Sequence, residues 1–169
     1  MRAKTIISIL RNPNEFSLII RIFLFLLKLP LLLKFRNITS LVQKITPRNH
    51  SEHNGSLTLE RIIYLCDRCL HLLQKLMYKY SCLKRCLLLY HFLRLYRVPV
   101  EINFGIKWEG NRLTGHSWLT LNGDTFLEPP GKVEKFTRFF SLPETGYSSD
   151  DEVTLSAKEF SEMKNISFD

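Results

Sequence analysis

A change of period at Val98-Pro99 constrains this chain more than any other feature. Before it, Ile62, Leu65, Cys66, Cys69, Leu72, Leu73, Leu76 and Met77 recur at helical spacing, which predicts an amphipathic helix over 57–78. Ser56 is placed to cap it and Glu60 sits favourably in its first turn. A second helix over 82–97 is apolar around most of its circumference, as a buried central helix is. After Val98-Pro99 the period falls to two. Val100, Ile102, Phe104, Ile106 and Trp108 alternate with polar or small residues, and Leu113, Gly115, Ser117, Leu119 and Leu121 repeat the pattern. Gly110-Asn111 supplies one turn and Asn122-Gly123 a strong hairpin signal. A return strand over Asp124–Glu128 is ended by Pro129-Pro130. Helices followed by an antiparallel meander define an α+β domain.

The amino-terminal region is more ambiguous. Leu18 to Leu33 is the most apolar stretch, but Arg21 and Lys28 divide it and Pro30 interrupts it. That pattern disfavours a spanning helix, and no small-residue cleavage site follows to make it a secretory signal. It predicts one or two amphipathic helices with basic residues on the polar side, packed on their own chain or resting at a membrane surface or partner. Residues 46–56 read as a polar linker. Three regions follow: a helical lead-in and linker over 1–55, a core over 56–135, and an acidic tail over 136–169 with a short helix opened by the capping box Ser156-Ala157-Lys158-Glu159. Leu142-Pro143-Glu144-Thr145-Gly146 matches a sortase signal by chance, since an acidic stretch follows it instead of an apolar segment and basic tail.

Composition narrows the class of protein. Apolar residues make up 45% of the 169, which excludes a wholly disordered chain, and four cysteines are too few for a disulfide scaffold. The net charge of +8 is uneven: residues 1–97 hold 17 basic and 4 acidic side chains, residues 98–169 hold 7 and 12. Without a helix-turn-helix pattern or a basic–aromatic stacking surface, the excess argues for a basic helical region rather than for nucleic acid.

The cysteines lie at 66, 69, 82 and 86, a spacing that on paper suits zinc. Both pairs fall inside leucine-rich helices without glycine-containing knuckles, so Cys66, Cys69 and Cys86 read as small core residues. Cys82 differs. It begins a helix that Ser81 can cap, where the macrodipole and free backbone N–H groups favour thiolate and offer donors to an oxyanion. His116 lies on a strand, on one face with Thr114 and Trp118. If the Leu121–Gly123 turn has three residues, His116 falls opposite Glu128 and the two share a face. A two-residue turn would pair His116 with Pro129 and send Glu128 to the other face. A Cys82–His116–Glu128 triad therefore predicts the longer turn.

Cys82-Leu83-Lys84-Arg85-Cys86-Leu87-Leu88-Leu89, Tyr96-Arg97-Val98-Pro99-Val100, Phe104-Gly105-Ile106 and His116-Ser117-Trp118 with Asn122-Gly123 together resemble the transglutaminase-like core of the lasso-peptide B proteins over about residues 60–130. The resemblance implies a cysteine peptidase that removes the leader from a lasso precursor peptide. Cys82 is then the nucleophile, His116 the base and Glu128 the orienting acid, with no metal or organic cofactor. Glu128 stands where that family usually has Asp, and Ser117 replaces its usual Ala, a change expected to be minor. Arg85, one turn from Cys82, is expected to pair with an acid of the sheet.

Residues 1–55 lack the three-stranded pattern of a fused PqqD-like recognition module. The resemblance then implies a separate PqqD-like leader-recognition protein and an asparagine-synthetase-like cyclase as partners. Reduced cysteines suit the cytoplasm, with a possible peripheral membrane contact. Two other readings stay open: an amidase or acyltransferase of the same fold outside lasso biosynthesis, and a non-enzymatic basic helical module binding membrane or nucleic acid.

Overall fold

The computed structural model describes residues 13–47, 57–75, 81–129 and 131–143. The expected tail helix, most of the 46–56 linker and the end of the sortase-like motif lie outside them. Among the described residues, four helices and a four-stranded antiparallel sheet appear in the order α1 (Pro13–Phe35), α2 (Ile38–Ile45), α3 (Leu59–Lys75), α4 (Cys82–Leu95), β1 (Val100–Glu109), β2 (Arg112–Leu121), β3 (Asp124–Phe126) and β4 (Thr137–Leu142), with a short 3-10 turn at Val133–Lys135. This is the α+β arrangement expected from the switch of period. The described residues fall into two compact units, one within 1–79 and 91–98, the other within 80–90 and 99–169.

In the first unit, α1 runs unbroken through Pro30. Its length and its mean hydropathy of 2.3 would allow it to cross a membrane, although the sequence disfavours that. Leu18, Ile22, Leu26 and Leu29 are its buried stripe, and α1 packs against α2 and α3. Glu15, also buried, takes two hydrogen bonds from the Arg61 guanidinium of α3, at 2.9 and 2.7 Å. Thr58 caps α3 by accepting from the Arg61 amide, a role expected of Ser56, which lies outside the described residues. Asn37 caps α2 through the Ser40 amide. The His91 ring stacks on Phe25 at 4.6 Å and donates from Nδ1 to the Ile45 carbonyl at 2.6 Å, meeting an unpaired acceptor at the end of α2. Cys66 and Cys69 are buried in this unit as core residues.

The second unit holds the first ten residues of the 81–95 stretch and the whole sheet. Strand order is β3-β2-β1-β4. β1 and β2 pair along their full lengths, from Val100 opposite Leu121 to Glu109 opposite Arg112, so each strand shows one alternating set to each face. β4 was not anticipated. Its burial is modest except at Leu142, and its two adjacent phenylalanines give no clean alternation. Helix α4 ends earlier than expected, because Arg97 adopts a left-handed φ of 64° and the Val98 amide turns back to the Leu93 carbonyl.

The turn between β2 and β3 corrects the sequence reading. Leu121 pairs with Asp124, Thr120 with Thr125 and Leu119 with Phe126, leaving the two-residue loop Asn122-Gly123. Both loop residues have positive φ, 54° and 89°, as a twist-matched Asn-Gly hairpin turn requires. The three-residue turn does not occur. β3 also stops at Phe126 instead of continuing to Glu128.

Candidate active site

Cys82 opens α4 as expected. The Ser81 hydroxyl accepts from the Lys84 amide at 3.3 Å, and the Ser81 carbonyl accepts from the Arg85 amide. Cys82 and Cys86, one helical turn apart, both meet Ser117 of β2. The Ser117 hydroxyl donates to Cys82 Sγ at 3.5 Å, and Cys86 donates to the Ser117 carbonyl at 3.1 Å. The serine expected to be a minor replacement is thus the hydrogen-bond partner of the candidate nucleophile.

Burial sets the acidity of these thiols. It pushes Cys86 up to about 12 and Cys69 up to about 11. Cys82 is also raised by burial, while Ser117, the Leu83 amide and the positive charge of Lys132 pull it back. The helix terminus does favour the thiolate, as its position implied, but desolvation outweighs it here.

His116 is buried at 3% exposure on the opposite, even-numbered face of β2. Its ring lies 5.0 Å from Phe136 and 6.2 Å from Trp118. Trp118 in turn fills the space beside Gly105: a Cβ on that glycine would meet the indole at 2.8 Å. Nε2 of His116 lies 3.7 Å from Glu128 Oε2, within ionic range but beyond hydrogen-bond length, and has no hydrogen-bond partner among the described residues.

Glu128 reaches His116 although the register predicts otherwise. The chain leaves the ladder after Phe126, and Leu127 takes a left-handed φ of 62°. This departure from strand geometry cancels the alternation, so the acid reaches the histidine face by a backbone turn and not by cross-strand pairing.

The carboxylate collects three cationic or protonatable groups. Lys132 Nζ lies 3.0 Å from Oε2, Arg85 Nη1 lies 3.8 Å from Oε1, and His116 is the third. The partner expected for Arg85 is therefore Glu128, just past the end of β3. Lys132 was missed, because a lone lysine after Pro129-Pro130-Gly131 carries no pattern in sequence. Burial lowers the His116 pKa below its ordinary value; Lys132 and Lys107 lower it further, and Glu128 opposes them. The imidazole is therefore neutral, and able to accept a proton, at neutral pH.

An open cleft of about 840 Å3 reaches His116, lined by Lys107, Thr114, Pro129, Lys132 and Phe136 among others. The Lys107 ammonium sits 4.7 Å over the Phe136 ring and pairs with Glu109. The structure thus joins His116 with Glu128, and Cys82 with Ser117. Among the described residues no hydrogen bond joins Cys82 to His116.

A helix-borne thiol whose partner is the strand residue next to a buried histidine, with an acid beside that histidine, is set in an α+β core of the transglutaminase-like kind. The chain belongs to the transglutaminase-like superfamily, whose model matches residues 23–141. That span contains all three candidate residues and starts within α1, well ahead of the residues on which the sequence resemblance rests. No curated protein and no solved structure matches the chain. Members of this superfamily are generally enzymes of cysteine-peptidase or acyl-transfer type, and the chain's chemistry is of that class.

Proposed function

We propose that this protein is a cysteine peptidase that cuts the leader from a ribosomally made lasso precursor, with Cys82 as nucleophile, His116 as base and Glu128 as orienting acid. The observation that carries the reading is the 3.7 Å approach of Glu128 to the neutral, buried His116 at the floor of an open cleft. A backbone turn at Leu127 directs that acid to that face against the register of its strand.

In the proposed reaction His116 takes the Cys82 proton, and the thiolate attacks the leader–core carbonyl. This requires His116, which lies on the face of β2 opposite Ser117, to reach the thiol when substrate binds, directly or through one water. The resulting oxyanion is held by backbone N–H groups at the start of α4, including that of Cys82. Imidazolium then protonates the leaving amine as the C–N bond breaks. Water, deprotonated by His116, hydrolyses the thioester and restores the thiol. Glu128 keeps the imidazole oriented and stabilises its charged form. A separate PqqD-like protein would present the precursor, and an asparagine-synthetase-like cyclase would act on the freed core, in the cytoplasm.

The test is leader release followed by mass spectrometry, with precursor and recognition protein supplied. Cys82→Ala and His116→Ala are expected to abolish cleavage, and Cys86→Ala to retain it. Full activity in Cys82→Ala would overturn the assignment, and loss only in Cys86→Ala would move the nucleophile to that thiol.

A further inference from the structure

Helix α1 has two apolar faces, and its own unit uses one. Leu18, Ile22, Leu26 and Leu29 are exposed by 2% or less. On the opposite side Phe16, Ile20, Leu24, Leu27, Leu31 and Phe35 follow one another at steps of three or four residues, each between 44% and 75% exposed. At 1.5 Å per residue they make a continuous stripe roughly 29 Å long. Scattered surface leucines need no explanation, but a contiguous apolar band marks a contact surface.

The charges around the band identify what it contacts. Arg21, Lys28, Lys34 and Arg36 are all exposed. By helical geometry Arg21 and Lys28 run along one border of the stripe, and Lys34 and Arg36 close its carboxyl end, with Lys34 Nζ 5.7 Å from the Phe35 ring. Lys44 of α2 adds a fifth exposed cation. Across residues 13–47 the only acid is Glu15, which is buried and committed to Arg61. Residues 1–12 add Arg2, Lys4 and Arg11 and no acid.

We propose that this face seats α1 in the interface of an anionic lipid bilayer, lying in its plane with the stripe among the acyl chains and the cations at the phosphates. Pairing with a second copy would set rows of cations against each other with no exposed carboxylate on α1 or α2 to meet them. A spanning orientation would carry the packed inner face, the Glu15–Arg61 pair and the charged residues of α3 into the hydrocarbon. The binding does not depend on the catalytic reading: Cys82→Ala is expected to bind as wild type does.

The experiment is vesicle co-flotation of the full chain, with phosphatidylcholine alone and with added phosphatidylglycerol, at low and high salt. Binding is expected to the anionic vesicles, weakened by salt, and reduced at least tenfold by Leu24→Glu/Leu27→Glu and by Arg21→Glu/Lys28→Glu. All four positions are exposed and all replacements suit a helix, so circular dichroism should show unchanged folding. Failure to float, equal binding to neutral vesicles, or indifference to the variants would overturn the proposal. So would retention after alkaline carbonate washing, which would mean a spanning helix. A dimer or a captured acidic protein abolished by Leu24→Glu/Leu27→Glu, without vesicle binding, would assign the stripe to that partner instead.

Discussion

At the scale of single residues, the two side chains that tune the site are the ones hardest to see in the sequence. Ser117 sits in the buried, odd-numbered set of β2 and looked like a neutral replacement for alanine, yet its hydroxyl bonds Cys82 Sγ. Removing that donor destabilises the thiolate. Ser117→Ala is therefore expected to slow alkylation of Cys82 by about two- to tenfold, one hydrogen bond's worth, read by peptide mapping after iodoacetamide treatment. The Cys86 bond should survive, because it uses the Ser117 carbonyl. Lys132 disfavours the charged imidazolium and competes for the same carboxylate oxygen as His116. Its loss favours protonated His116 on both counts. In Lys132→Ala the acid limb of the pH–rate profile should move to higher pH, whereas in the wild type it should lie below pH 6.5, the ordinary histidine value. A limb that stays in place would remove Lys132 from the site. Cys82 and His116 themselves were legible: one opens a capped helix, and the other is an ionisable residue facing a definite side of a strand.

At the scale of elements, what could be read in advance is what periodicity controls. The buried set of α3, the start of α4 and both long strands follow from spacing, because each buries a repeating face. The β2–β3 turn was misread because Asn-Gly suits loops of two or three residues and only the pairing decides between them. Glu128 does lie beside His116, but not by the cross-strand pairing expected, since a left-handed Leu127 has no sequence signature. Gly105 can now be explained in physical terms. It stands in β1 opposite His116, and the indole of Trp118 occupies the space of its missing side chain. Gly105→Ala is expected to cost about 1–3 kcal/mol, the usual penalty for overpacking, because Trp118 is 3% exposed and has nowhere to retreat. Urea denaturation checks the stability. A fall in activity beyond that explained by unfolding would show that displacing Trp118 and Phe136 also disturbs the ring of His116 between them.

For the whole molecule, the charge asymmetry that first suggested an anionic partner is spread along residues 1–97, and five of its seventeen basic residues lie on or between helices α1 and α2. Protons act on both compact units as well. His91 in one and His116 in the other have pKa values lowered by burial. Between the unfolded value near 6.5 and these depressed folded values, the unfolded chain binds more protons. Stability should therefore be complete above about pH 6.5 and fall as pH drops below it. Urea midpoints at pH 7.5 and 5.5 measure the difference. His91→Phe, which preserves the stack on Phe25, should flatten part of the slope, and an unchanged slope would exclude His91 as a contributor.

The two-residue hairpin turn also bears on the order in which the site assembles. His116 and Glu128 are joined by a short loop whose closure is fast and costs little chain entropy, whereas Cys82 lies more than thirty residues upstream of His116. The acid–base pair should consequently form early in folding, and the thiol should meet its serine only when helix and sheet dock. Pulsed alkylation during refolding would show Cys82 reactive after the hairpin amides are already protected from exchange; simultaneous protection would contradict that sequence of events. A nascent chain folding in this order would bring the candidate thiol to its serine only once its core was complete, so the site's parts would be joined last.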